Sequence, residues 1–282
     1  MAEIIDGKKV SEHIRSQIAK GVDKLKQETG ITPGLAAVLV GDDPASEIYV
    51  RNKRRACSNA SIYSEEHKLP LETTEQELLT LVDKLNNDPK IHGILVQLPL
   101  PDHINVTKIL RAVSPLKDVD GFHPYNVGLL VEGNPRFIPC TPHGIIKMLE
   151  FYNIDISGKQ AVVVGRSNIV GKPVSMLLLH RHATVTVCHS RTKPLDEVTR
   201  RADILVAAIG RANFITADMV KEGAVVIDVG INRNEEGKLT GDVDFEAVSQ
   251  KASYITPVPG GVGPMTISML LWNTLESAKS TS

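Results

Sequence analysis

Apolar positions in the first hundred residues follow two rhythms in turn. Val10, Ile14, Ile18, Val22 and Leu25 recur at helical spacing, which predicts an amphipathic helix over residues 8–29. Leu35–Val40 is instead continuously apolar and is ended by Gly41-Asp-Asp-Pro44, the pattern of a buried strand and a turn. A helix from Ala45, a weaker strand near 62–69 and a helix near 74–87 follow. Gly93–Leu98 is a second buried strand, stopped by Pro99 and Pro101. Strands apolar on both faces, alternating with helices, predict a mostly parallel sheet covered on both sides.

The rhythm restarts after the Pro-punctuated stretch Phe137-Ile-Pro-Cys-Thr-Pro142. A helix near 143–152 leads to strands at 161–164, 183–188, 204–208 and 224–229. The interval from Gly165 to Cys188 is the length of one βαβ unit. The fold class expected is therefore α/β, in two consecutive units with their border near 120–145. An apolar helix, Met265–Ala278, follows the loop Pro257–Pro264 and is expected to pack back on the first unit.

Composition narrows the classes. The 282 residues carry 32 Lys+Arg against 33 Asp+Glu, a net charge of −1, so no basic face argues for nucleic acid or an anionic membrane surface. A hydrophobic content of 42% with 23% charged residues belongs to a globular chain. No apolar run approaches the ~20 residues that span a bilayer, and MAEIIDGKKV lacks the apolar stretch of a signal peptide. Cys57, Cys140 and Cys188 are far apart and odd in number, which disfavours disulfides and thiolate zinc sites and makes a reducing cytoplasm the expectation.

Val162-Val-Val-Gly-Arg-Ser-Asn-Ile-Val-Gly171 joins a buried strand, a glycine turn and a helix start, the setting in which backbone N–H groups hold a pyrophosphate. Ser167 occupies the second glycine position of G-x-G-x-x-G, so a plain strand–helix turn reads equally well from these residues. The next strand ends in Cys188-His-Ser-Arg-Thr192, without the carboxylate that accepts from a ribose 2′-OH in NAD sites. Arg166, Ser190 and Arg191 would suit a 2′-phosphate, which favours NADP.

Tyr49 and Lys53, four apart, share a helix face; an aromatic plane beside an amine suits a flat ligand, although a basic helix is more often a solvated surface. Arg51, Arg54 and Arg55 would help keep Lys53 neutral. Gln97 sits late in an apolar strand, either as a self-satisfied core amide or as a ligand group beyond a strand's carboxyl end. Asp118-Val-Asp-Gly121 reads as an Asx-type turn or a pair of metal ligands, with no third carboxylate near; no metal is expected. His67, His103, His123 and His143 have no ligand spacing and receive no role.

Six ordered blocks resemble the signature motifs of the bifunctional methylenetetrahydrofolate dehydrogenase/cyclohydrolase family: Tyr49-x-x-x-Lys53, Val96-Gln-Leu-Pro99, Lys117-Asp-Val-Asp-Gly121, Pro139-Cys-Thr-Pro142, Val164-Gly-Arg-Ser-x-Ile-Val-Gly171 and Pro257-Val-Pro-Gly-Gly-Val-Gly-Pro264. The resemblance covers nearly the whole chain. It implies two α/β domains flanking a cleft, 1–140 for folate and 141–264 as a Rossmann-like NADP-binding domain, with 265–282 returning to the first. It implies a folate substrate, NADP, a homodimer and a place in one-carbon metabolism and purine biosynthesis. Carried over by position, Lys53 is the catalytic lysine, Tyr49 packs on the folate, Gln97 partners the lysine and Asp120 holds the pteridine. Gly165, Arg166, Ser167, Ser190 and Ile231 are coenzyme-contacting positions, and Gly261 lies in a folate-side loop. Ser61 departs from the family pattern, which has glycine there.

The implied chemistry oxidises the methylene bridge to a cationic methenyl bridge, then hydrolyses it to 10-formyltetrahydrofolate with Lys53 moving the protons. Two rivals stand beside it. One is another two-domain NADP dehydrogenase of the shikimate dehydrogenase type; the other is a non-catalytic folate-binding module.

Overall fold

The computed structural model describes residues 1–233 and 236–281; within the helix Pro44–Asn59, the side chains of residues 44–49 lie outside the described set. In chain order the first elements are β1 (Glu3–Ile4), α1 (Gly7–Thr29), β2 (Gly34–Val40), α2 (Pro44–Asn59), β3 (Tyr63–Leu69), α3 (Glu75–Asn87) and β4 (Gly93–Val96). Helices α4 (Val106–Ala112), α5 (Pro124–Glu132) and α6 (Cys140–Phe151) lead to β5 (Gln160–Val164), α7 (Gly171–Leu179) and β6 (Thr184–Cys188). Then come α8 (Leu195–Thr199), β7 (Ile204–Ala207), β8 (Val225–Asp228), β9 (Asn232–Arg233), β10 (Leu239–Thr240), α9 (Phe245–Ser249), β11 (Tyr254–Ile255) and α10 (Val262–Lys279). The chain forms two units, His13–Ile138 with Ile267–Ser282, and Met1–Glu12 with Pro139–Thr266.

The first unit is built on a parallel sheet of order β3-β2-β4. Every residue of β2 is buried, as its unbroken apolar run requires. Ala36, Val38 and Val40 of β2 share one core with Leu78, Val82 and Leu85 of α3 and with Ile94 and Val96 of β4. Helix α3 starts where Thr74 Oγ1 accepts the N–H of Glu77 and the Glu77 carboxylate accepts the N–H of Thr74, a reciprocal cap. The later part of α10 belongs to this unit. Asn273 Nδ2 donates to the carbonyls of Val119 and Ile138 at 2.8 and 2.9 Å, and Ser277 Oγ donates to those of His92 and Leu116.

The second unit carries a six-stranded sheet of order β1-β11-β8-β7-β5-β6, parallel throughout. The chain leaves β5 to one side for β6 and returns on the other for β7, so strand order reverses beside β5. In such sheets the crevice outside the carboxyl ends at that point is where a dinucleotide lies.

The structure assigns Met1–Glu12 differently from the sequence reading, which placed it with the N-terminal half. Glu3 and Ile4 pair with Tyr254 and Ile255 of the second unit. A two-residue strand leaves no hydrophobic period to detect. Helices α4, α5, α8 and α9, of five to nine residues, are likewise too short to show a clear hydrophobic period. Asn105, His123 and Asp244 start three of them by accepting a backbone N–H.

Candidate active site and coenzyme turn

Lys53 lies on α2 with Gln97 just beyond the end of β4, and the structure joins them. Lys53 Nζ donates to Gln97 Oε1 at 2.8 Å, and Gln97 Nε2 donates to the carbonyl of Leu98 at 2.7 Å. Lys53 is only 9% exposed, so its amine has lost most of the water that would favour its charge. The neighbouring Arg51, Arg54 and Arg55 are exposed, where water and salt weaken the influence of their charges. Burial is what distinguishes Lys53 on this basic helix. One turn further along α2, burial pushes the Cys57 thiol up to about 11, against the opposing pull of the Ser64 hydrogen bond and the Lys53 charge, so it stays a thiol. Tyr49 has its backbone in α2; its side chain lies outside the described residues.

Asp120 is half-buried in a turn beside β4. Ile94 donates its N–H to the carbonyl of Lys117 at 2.8 Å, and Gly121 closes the turn onto the carbonyl of Asp118 at 3.0 Å. The Asp118 carboxylate accepts from the N–H groups of Phe122 and His123 and from Asn126 Nδ2, the last two at 2.8 Å. Burial raises the Asp118 pKa, and these hydrogen bonds oppose it. Asp118 thus accepts four and five residues on rather than two, as an Asx turn would, and its carboxylate braces the turn carrying Asp120.

In the second unit, Gly165 ends β5 with φ 130° and donates its N–H to the carbonyl of Cys188 at 2.9 Å. A Cβ on Gly165 would collide with the carbonyl of Ala208, and one on Gly171 with the carbonyl of Gly165. Both glycines are thus required by close backbone approach, the condition for a dinucleotide to reach a helix N-terminus. Ser167 Oγ accepts the N–H of Val170 at 3.1 Å and of Gly171 at 3.3 Å, so the residue in the second glycine position caps this turn itself. Because Gly165 is bonded to Cys188, exposed Arg166, Ser190 and Arg191 rise at the same end of two adjacent strands. No carboxylate ends β6. Ile231, 54% exposed, stands in the loop after β8. Gly261, buried, belongs to this same unit and donates its N–H to the carbonyl of Pro257 at 2.9 Å.

The four unassigned histidines separate. His123 Nδ1 accepts the Tyr125 N–H at 3.1 Å to start α5. His103 pairs with the Thr73 carbonyl and His67 with Glu65. His143 is buried in the first turn of α6. Among the described residues, no group of three or more His, Cys, Asp or Glu is placed to hold a metal.

Comparison with known proteins identifies the family of both units. Residues 5–120 match the model of the tetrahydrofolate dehydrogenase/cyclohydrolase catalytic domain, and residues 139–282 match that of its NAD(P)-binding domain. The bifunctional protein FolD of Pelobacter propionicus is 65% identical over 99% of this chain and 98% of its own length. The Campylobacter jejuni bifunctional enzyme FolD superposes with a TM-score of 0.98 at 53% identity, covering 100% of both chains. The Trypanosoma brucei enzyme, solved with NADP cofactor and an inhibitor, gives 0.94 at 40% identity, over 99% of this chain and 98% of its own.

The chain belongs to the tetrahydrofolate dehydrogenase/cyclohydrolase family. It is an NADP-dependent methylenetetrahydrofolate dehydrogenase and methenyltetrahydrofolate cyclohydrolase. The rival shikimate dehydrogenase reading is set aside: the Aquifex aeolicus enzyme, over 90% of this chain and 93% of its own, reaches a TM-score of 0.50 at 15% identity and shares the fold alone.

Proposed function

We propose that Lys53 moves the protons of the cyclohydrolase step, with Gln97 holding its amine. The observation that carries this reading is the 2.8 Å bond between a nearly buried amine and an amide whose other end is already committed to Leu98. With Gln97 Oε1 accepting one N–H, the neutral amine keeps its lone pair for a water at the methenyl carbon. Lys53 takes a proton from that water as the C–O bond forms. It then gives that proton to the ring nitrogen as the C–N bond breaks, and the carbinol O–H releases its proton to the freed amine, and from there to water, as the C=O of the 10-formyl product forms. Asp120 holds the pteridine, whose amidine-like edge offers two parallel N–H groups to a carboxylate. Tyr49 packs on the folate, and Gly261 lies in the loop on its side.

In the preceding oxidation, hydride leaves the bridge carbon under the push of the adjacent nitrogen lone pair. The protein's part is orientation, without a base. NADP, when bound, supplies the hydride acceptor. The tight approach at Gly165 and Gly171 fits its pyrophosphate; Gly165, Arg166, Ser167, Ser190 and Ile231 would hold it, with Arg166 and Ser190 toward the 2′-phosphate.

The test is Lys53→Met assayed for both half-reactions. Cyclohydrolase turnover is expected to fall by about 10²–10⁴-fold, with hydride transfer reduced less. Full cyclohydrolase turnover in a folded variant removes Lys53 from the mechanism. The assignment of 1–140, less the Met1–Glu12 segment that groups with the second unit, to folate and of 141–264 to coenzyme, with 265–282 returning to the folate side, belongs to this reading. So do a cytoplasmic location, a supply of one-carbon units to purine biosynthesis and a homodimer. Three free, buried cysteines support a reducing compartment. The β6 edge of the larger sheet, with Val187 39% exposed, offers a surface for a second copy, and light scattering decides the subunit number.

A further inference from the structure

The loops that follow β7 and β8 are tied to two buried carboxylates that neither half-reaction uses. Asp242 is 0% exposed. Its Oδ2 accepts the N–H groups of Ile209 and Gly210 at 2.6 and 3.0 Å; its Oδ1 accepts the N–H of Arg211 at 2.8 Å and Asn232 Nδ2 at 2.9 Å. Asp228, the last residue of β8, is 3% exposed. Its Oδ1 accepts the N–H groups of Gly230 and Asp242, both at 2.9 Å, and its Oδ2 accepts that of Val243 at 3.0 Å. The two carboxylates thus stack in series, and seven N–H donors, six of them backbone, converge on them.

Three successive backbone N–H groups aimed at one point make an anion-binding concavity. In residues 209–211 the chain fills that concavity with its own carboxylate, so the amides set the loop's shape. The wrapping is tight: a Cβ on Gly230 would strike the Asp242 carboxylate, and one on Gly241 the Asp228 carboxylate. On the other side of Ile231, Asn232 is bonded to Asp242, so the exposed coenzyme position is pinned at both neighbours. The loop after β7 also meets the coenzyme turn, since the Ala208 carbonyl is what a Gly165 side chain would hit. Both loops leave carboxyl ends of the sheet at the side of β5 that a dinucleotide crosses.

We propose that Asp242, seated by Asp228, is the positioning residue of the coenzyme site: it sets loops 208–211 and 229–232 in their bound shape and lowers the cost of binding NADP without touching it. The inference rests on the coenzyme reading given for Ile231 and Gly165. Ordering loops in advance spares the entropy that binding would otherwise cost. Keeping the pair buried has its own cost: burial first, and the Asp242 charge last, push the Asp228 carboxyl up to about 6 against its three hydrogen bonds.

Asp242→Asn turns one of the two accepting oxygens into a donor that faces N–H groups. The measurements are the NADP dissociation constant by calorimetry, the NADP KM, and turnover of methenyltetrahydrofolate without coenzyme. NADP affinity is expected to fall about tenfold or more, with KM following, while coenzyme-free cyclohydrolase turnover stays within about twofold. Unchanged NADP affinity in the folded variant overturns the proposal. A matching fall in both activities, with NADP affinity kept, overturns it too, because it marks general damage. Should Asp242→Asn fail to fold, Asn232→Ala removes a single donor; it is expected to weaken NADP several-fold, and no change there overturns the proposal. Arg166→Ala, run in parallel, tests the coenzyme turn itself. Loss of NADP there with none in Asp242→Asn rejects the positioning role and keeps the coenzyme site; no loss in Arg166→Ala rejects the 2′-phosphate reading alone.

Discussion

Gln97 stands between the Lys53 amine and the carbonyl of Leu98, accepting from one at 2.8 Å and donating to the other at 2.7 Å. An amide has one accepting and one donating end, so the Leu98 contact dictates which end Lys53 meets. Gln97→Leu keeps the bulk and removes the acceptor. Cyclohydrolase kcat is expected to fall by about tenfold or more, with a smaller change in KM, because a freed amine is misplaced for the reaction rather than for binding. Gln97→Glu gives a different signature. A carboxylate beside the amine favours its charged form and raises the lysine pKa, so the rising limb of the pH–rate profile moves to higher pH. An unmoved limb together with a normal kcat would detach Gln97 from the chemistry.

Arg166 follows Gly165 into the turn after β5 and is exposed at the same end of the sheet as Ser190. A guanidinium there can form charge-assisted hydrogen bonds to a 2′-phosphate and has nothing comparable to offer a 2′-hydroxyl. Arg166→Ala is expected to weaken NADP by about 10–100-fold, the equivalent of ~1.5–3 kcal/mol, and NAD far less. Dissociation constants for both coenzymes decide it, and equal losses refute the phosphate contact.

Ser61 follows the Lys53 helix with φ 55°, in the left-handed region. The chain reverses here: the carbonyl of Cys57 accepts from both Ala60 and Ile62, each at 3.0 Å. This is backbone geometry that glycine adopts without strain, here filled by serine. Left-handed geometry costs a non-glycine residue about 1–2 kcal/mol, of which glycine's greater freedom in the unfolded chain offsets ~0.5–1. Ser61→Gly is therefore expected to stabilise the protein by about 0.5–1 kcal/mol, read as a raised denaturant midpoint at constant slope. A lowered midpoint would mean that the serine side chain contributes more than its backbone costs.

How much of this was readable beforehand follows from the range of each signal. Val162–Val164 with Gly165 announced itself, because an apolar strand and the turn after it are contiguous. The Lys53–Gln97 bond joins positions 44 apart. No period links them, and only the resemblance of whole motifs did. Lys53 looked like one charge on a solvated basic face, since burial depends on what packs over α2. Asp228 and Asp242 do carry a local signal: a carboxylate closes the apolar run Val225–Asp228, with glycines at 230 and 241 beside the two acids. Strand β1 left none, being two exposed residues whose partner lies 251 positions away.

His143 supplies a test of stability that is independent of the chemistry. It is 7% exposed in the first turn of α6, and its pKa is pushed down to about 4 by burial, aided by the charges of Lys147 and Arg181 and opposed by Glu150. In the unfolded chain the imidazole titrates near 6.5. Between these values the unfolded state binds the extra proton, so its contribution to stability is intact above about pH 6.5 and is lost as pH falls toward 4. A shift from 6.5 to about 4 corresponds to roughly 3 kcal/mol at pH 4. His143→Gln removes that titration. Carboxylates such as Glu75 and Asp203, whose pKa values are lowered, also weaken the fold in acid, but they do so in both proteins and cancel in the difference. Urea unfolding at pH 7 and pH 4 should therefore show the parent losing about 3 kcal/mol more than the variant. Parallel losses would mean that His143 takes up its proton in the folded state as readily as in the unfolded one.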